Sequence, residues 1–199
     1  MLTSAIALAD REGVGGLSMR KLAGEVGFEV MSLYHHVANK DDLLDAMVDL
    51  VAAGVVTPPD TAPWREALRA TAVSIHQSLL SHPWSAPLWS SRAPGPARLA
   101  LMETLLRTLA RSGLPHDLAH HGFHAVNNHV LGYSLQEQSF AVRGAAEVEA
   151  MARDFLAGLP TDTYPHLAAH VREHLEAPAP GRSFEFVLDL LRDGLQDRG

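Results

Sequence analysis

Residues 17–44 read LSMRKLAGEVGFEVMSLYHHVANKDDLL, and this stretch decides the fold. Ser18 is a good N-cap for a short helix, and Leu17 before it can staple onto Leu22. Leu22, Ala23 and Val26 give that helix an apolar stripe, and Gly27 stops it. A second short helix is predicted over residues 29–36, with Leu33 as its inward anchor and Val37 just beyond. Asn39 caps a longer helix over residues 39–55, with Asp41 and Asp42 in its first turn and Leu43, Leu44, Met47, Val48 and Val51 on its apolar face. Helices of seven or eight residues are marginal alone and need neighbours to hold them. A common reason to keep one is that it fits the major groove of DNA, which admits a single helix.

Working outward, residues 3–12 read as a first helix with Ile6, Leu8 and Ala9 inward, broken at Gly13, Gly15 and Gly16. The expectation is a three-helix unit over residues 1–45, with the 39–55 helix leading onward. TPPDTAP, with Pro58, Pro59 and Pro63, marks the plainest boundary in the chain. From residue 56 to 199 a second, larger helical unit is expected. Its helices are predicted at 64–81, 97–112, 116–142, 145–157, 164–176 and 183–196, with an irregular or broken segment at 82–96. The last helix carries Phe184, Val187, Leu188, Leu191 and Leu195 on one side. No segment alternates with period two for long, so the fold class is all-α.

The 199 residues, 47% of them apolar and 20% charged, allow one or two domains with a real core. The chain has no cysteine, which excludes a disulfide framework and cysteine-ligated zinc and fits a reducing, cytoplasmic setting. No secretory signal and no apolar run of about 18 residues is present, so no membrane span is expected. The net charge is −7. In residues 1–45 Arg11, Arg20, Lys21 and Lys40 face seven acidic residues, which counts against contact with phosphate. Position outweighs that sum, because helix N-termini and backbone amides also hold phosphates.

Over residues 17–44 the chain resembles the TetR family of transcriptional repressors. The likeness is carried by Leu17-Ser18-Met19-Arg20-Lys21-Leu22-Ala23, Gly27, Ser32-Leu33-Tyr34-His35-His36-Val37, Asn39-Lys40 and Leu43-Leu44. Gly132-Tyr133, Tyr164-Pro165-His166-Leu167 and Phe184-Glu185-Phe186 look like the tetracycline-repressor type of C-terminal domain. The resemblance implies a homodimer that offers two helix-turn-helix units to palindromic double-stranded operator DNA. A small organic effector in the C-terminal domain would then release the DNA. It also implies a four-helix dimer interface from the helices near 116–142 and 183–196 of each subunit. Members of that family usually begin several residues earlier, often with basic residues. Here the first helix starts almost at Met1, so either the start is trimmed or that arm is absent. The histidine and glutamate through which tetracycline-binding members hold a drug-bound magnesium fall near Leu88 and Gln136. Neither is a good Mg²⁺ ligand, which disfavours that effector.

The chemistry of the candidate DNA reader divides by residue type. Arg20 can fork onto a guanine edge or a phosphate. Ser32 and Tyr34 can donate to phosphates, and Lys40 can join the helix amides there. Glu29 can accept from a cytosine amine. Val30 and Met31, expected to face outward, suit thymine methyl groups. Of His35 and His36, one is expected to meet phosphate while the other packs; protonation of either adds positive charge near DNA.

For the effector, the 116–142 helix sets Phe123, His124, Asn127, Asn128, Leu131 and Gln136 among apolar neighbours. Polar groups there need partners, either a ligand or a structural network. Trp84 and Trp89 are expected to roof the cavity, or else to be ordinary core. His116, His120 and His124, like His166, His170 and His174, stand at i, i+4, i+8. Their spacing leaves a metal-responsive regulator as an alternative, but three in a row drift around the helix, and a polar face is the stronger reading. No resident cofactor or metal site is assigned. No catalytic set is present: there is no Ser-His-Asp order, carboxylate pair or phosphate-cradling loop, so an enzyme is not expected.

Overall fold

The computed structural model describes residues 1–141, 144–176 and 182–196. These residues are all-helical, in the order α1 (Leu2–Gly16), α2 (Met19–Val26), α3 (Val30–Leu33), α4 (Lys40–Ala53), α5 (Trp64–Ser81), α6 (Ser85–Ser91), α7 (Pro96–Ala110), α8 (His116–Ala141), α9 (Ala145–Gly158), α10 (Pro165–Glu176) and α11 (Arg182–Gln196). The predicted residue 142 lies outside the described set.

Two differences from the sequence reading have local causes. The first helix runs on to Gly16, kinked at Gly13 rather than ended there. The segment predicted as 82–96 coil contains α6, which starts where Ser85 Oγ donates to the His82 carbonyl (2.7 Å) and so closes a turn. The Ser18 cap holds: its Oγ accepts from the Lys21 amide at 3.2 Å. Asn39 Oδ1 accepts from the Asp42 amide at 2.9 Å. Gly27 takes φ 72°, a left-handed conformation that costs glycine little and lets the chain reverse into α3.

Two apolar cores organise the chain. The first joins α1 to α4 through Leu8, Leu17, Leu22, Leu33, Leu43 and Met47, all essentially inaccessible. The second joins α5, α7, α8 and α11 through Leu68, Leu79, Leu109, Val126, Phe184 and Leu188. Helix α4 packs on α1 and also on α5, α6 and α7. Trp89 packs against both cores. Helices α9 and α10 pack mainly on one another, and α9 buries none of its residues.

Candidate DNA reader and effector cavity

Leu33 is buried and fixes α3 in the first core, so the residues around it must face out. Met31 is 71% exposed and Tyr34 43%. Glu29, His35 and His36 are exposed and Ser32 is half-buried. Both histidines are outward, so the expectation that one packs is corrected: α3 ends at Leu33, and residues 34–36 form a turn held by His36 N–H on the Leu33 carbonyl (3.0 Å). Val30 is also corrected. It is half-buried and packs on the first core, because it stands three places before buried Leu33 and shares that side of α3.

Phe28, in the turn before α3, is 65% exposed. The sequence reading passed over it. Its signal was an aromatic residue directly after the capping glycine, where nothing in the helix stripe calls for one. Phe28 and Met31, three residues apart, both expose apolar side chains at the start of the second short helix.

The cations of this region are divided. Arg11 pairs with Glu25, and Lys21 with Glu12. Lys40 Nζ donates to the Val14 carbonyl at 3.3 Å and is half-buried. Arg20 is exposed and has no ion pair among the described residues.

A cavity of about 310 Å³ lies in the second unit, lined by Ile75, Trp89, Ser90, Arg92, Pro94, Arg98, Leu101, Met102, Leu105, Phe123, His124, Asn127 and Leu131. Trp89, Phe123, His124, Asn127 and Leu131 are brought together there as the sequence reading placed them. Trp84, Asn128 and Gln136 are not. Trp84 lies in the first core, where its indole N–H donates to Asp10 Oδ1 at 2.7 Å. A carboxylate on α1, far away in sequence, supplied the partner that its N–H needs when buried. Asn128 and Gln136 are exposed, off the Phe123–Asn127–Leu131 face of α8. Leu88 packs on the first core and also stands outside the cavity lining.

The α6–α7 wall is tied to α4 by charge. Arg92 donates to Asp41 Oδ1 (2.6 Å), Asp45 Oδ1 (2.8 Å) and the Asp41 carbonyl (3.1 Å). The hydrogen bonds to Asp41 and Asp45 raise its pKa above the ordinary arginine value. Asp49 accepts from the amides of Ala97 (3.0 Å) and Arg98 (2.9 Å) and so caps α7 from outside. Contact there is close: a Cβ at Gly95 would stand 2.5 Å from Asp49 Cγ.

The histidine ladders gather only in pairs. The rings of His120 and His124 are 4.6 Å apart, as are those of His170 and His174. Among the described residues no group of three or more histidines and carboxylates is placed to hold a metal ion.

An N-terminal helix-turn-helix displayed on a packed helical support, beside a larger helical unit with a lined cavity, defines a one-component DNA-binding regulator. Comparison with known proteins gives the family. Residues 1–47 match the model described as bacterial regulatory proteins, tetR family. Residues 57–198 match the tetracyclin repressor-like C-terminal domain. The chain belongs to the TetR family of transcriptional regulators. An HTH-type transcriptional regulator of Saccharopolyspora erythraea is 36% identical over 95% of this chain and 78% of its own length. The tetracycline repressor protein class E of Escherichia coli is 32% identical over 70% of this chain and 67% of its own. The crystal structure of the TetR family protein ActR of Streptomyces coelicolor in complex with (S)-DNPA has a TM-score of 0.81 and 30% identity. It covers 100% of this chain and 96% of that one. These families are of transcriptional regulators, not enzymes. No helix among the described residues is long and apolar enough to cross a membrane.

Proposed function

We propose that this protein is a cytoplasmic, homodimeric repressor that leaves a palindromic operator when a small organic molecule enters the cavity. In this reading Arg20, Glu29, Met31, Ser32, Tyr34, His35, His36 and Lys40 contact DNA, with Phe28 beside them and Val30 bracing α3 from beneath. Trp89, Phe123, His124, Asn127 and Leu131 contact the effector. The observation that carries it is the link between cavity and reader. Arg92 lines the cavity and at the same time holds Asp41 and Asp45 on α4, the helix that packs on α1 and shares the first core with α2 and α3. A ligand that displaces Arg92 moves α4. It acts on DNA only so far as it prefers the displaced arrangement.

Dimerisation is assigned to α8 and α11. Phe186 and Leu190 on α11 and Leu135 on α8 are exposed apolar residues, on helices that already pack on each other. A twofold contact there sets two readers about 34–36 Å apart, one duplex turn.

The test is a gel shift with the DNA upstream of the protein's own gene. Salt-sensitive binding by a dimer is expected, weakened in Arg20→Ala, and weakened without any effector in Arg92→Ala, which lacks the tie from the cavity wall to α4. Equal binding by Arg20→Ala and the parent protein overturns the reader assignment.

A further inference from the structure

Resting on the reading of this cavity as the effector site, one cation in its wall specifies the effector's chemistry. Arg98 is 3% exposed and lines the cavity. A guanidinium has five N–H donors. Main-chain carbonyls take three of them: Trp89 at 2.7 Å, Arg92 at 3.3 Å, and Ala93. Two donors remain, and one of them is Nε–H, which is buried without an acceptor.

The charge is as unanswered as the donor. Asp49 and Asp45 are the near carboxylates, but neither hydrogen-bonds the guanidinium. Asp49 is turned to the amides of Ala97 and Arg98, and Asp45 to Arg92. Burial pushes the pKa of Arg98 below the ordinary value, against the pull of Asp49 and Asp45. A buried cation with an idle donor is costly, and that cost falls when an anion meets it. Water in the same place would satisfy the donor and leave the charge.

Around Arg98 the walls are of another kind. Trp89 and Phe123 supply aromatic surface, Ile75, Leu101, Met102, Leu105 and Leu131 aliphatic surface, and the Arg98 guanidinium carbon lies 5.9 Å from the Trp89 ring centre. A flat apolar body therefore fits between them, with one charged end.

We propose that the effector is an aromatic organic anion whose carboxylate or ionised phenol oxygen meets the positive charge of the Arg98 guanidinium while its rings lie against Trp89 and Phe123. Arg98 is then a specificity-determining residue: it selects the anion over a neutral molecule of the same shape.

The test uses isothermal titration of the full-length protein with two probes of one shape, 2-naphthoate and 2-naphthamide. The parent protein should bind the carboxylate roughly tenfold or more tightly than the amide, the difference expected for a charge-assisted hydrogen bond. In Arg98→Lys, which keeps a cation and lacks the planar guanidinium, that preference should fall at least about threefold. Equal affinity for the two probes in the parent protein, or preference for the amide, overturns the inference and leaves the cavity reading standing. Binding of neither probe at millimolar concentration removes the cavity reading and the inference with it. Because Arg98 also holds three carbonyls, the variant is first checked by thermal melting. If it does not fold, the two probes on the parent protein decide alone.

Discussion

The two units of this chain differ in how far they satisfy themselves. In the first, the caps close locally on Ser18 and Asn39, and two of its four cations pair within it. What it leaves exposed is Arg20 on α2 and the apolar side chains of Phe28 and Met31 at α3. The second unit leaves a polar atom open inside it: Arg98 Nε is buried without a hydrogen-bond partner. It also leaves apolar side chains outside, on α8, α9, α10 and α11. The first unit folds by short-range rules and presents a finished surface. In the function proposed above, the second is completed by something added, a ligand within and a second copy without.

The contrast is most strongly tested at the α11 surface. Phe186→Asp with Leu190→Asp should leave a folded monomer with operator binding reduced beyond detection, because a single reader lacks its twofold mate. Sedimentation equilibrium with a gel shift measures both. A dimer that persists would place the contact elsewhere.

Next in size is Leu33→Ala, which removes the one buried anchor of α3. A loss of about 2–5 kcal/mol of stability is expected from thermal or urea unfolding. Operator binding should fall with it even below the transition, since α3 would no longer be braced.

Smaller again is Arg20→Ala. It should cost about 1–3 kcal/mol of operator affinity and relax base preference near its contact, with the melting temperature unchanged. Competition gel shifts with single-base operator variants measure that preference. Unchanged preference would reassign Arg20 to phosphate.

The smallest effect lies in the second unit's buried polar cluster. His76 Nδ1 lies 2.8 Å from Ser134 Oγ and Nε2 lies 3.2 Å from Glu137 Oε2, with Phe184 stacked on the ring. Burial pushes its pKa below the ordinary value; Glu137 pulls it up and the nearby His129 pushes it further down. A histidine kept neutral in the fold lends stability that is full above the unfolded value of about 6.5 and is lost as pH falls toward the folded value. Melting temperatures across mild acid should therefore fall more steeply for the parent protein than for His76→Gln. Parallel curves would show that the proton is held elsewhere.

How much of this was legible in the sequence follows the same contrast. The ends of α2 and α4 were readable because their signals are local: a capping side chain, a stop glycine, an apolar residue every third or fourth place. The end of α3 was not, because residues 34–36 close a turn whose hydrogen bonds depend on Leu33 being seated. On the cavity, Phe123, Asn127 and Leu131 were legible as one face of a long helix. Arg92, which follows α6, and Arg98, Leu101, Met102 and Leu105 of α7 were not, since α7 reaches that space through its contacts with α4, α5 and α8. Trp84 and Trp89 looked alike in sequence. Their separation into different surroundings was decided by Asp10, a residue with no sequence relation to either.

The tight seam between Gly95 and Asp49 has a genetic consequence. One added methyl group at residue 95 would wedge α7 away from α4 along the path by which the effector is proposed to act. Gly95→Ala should therefore behave as an induced protein without inducer, scored as constitutive expression from a reporter under its operator. Its reversion would be sought at Asp49, where a shorter side chain makes room.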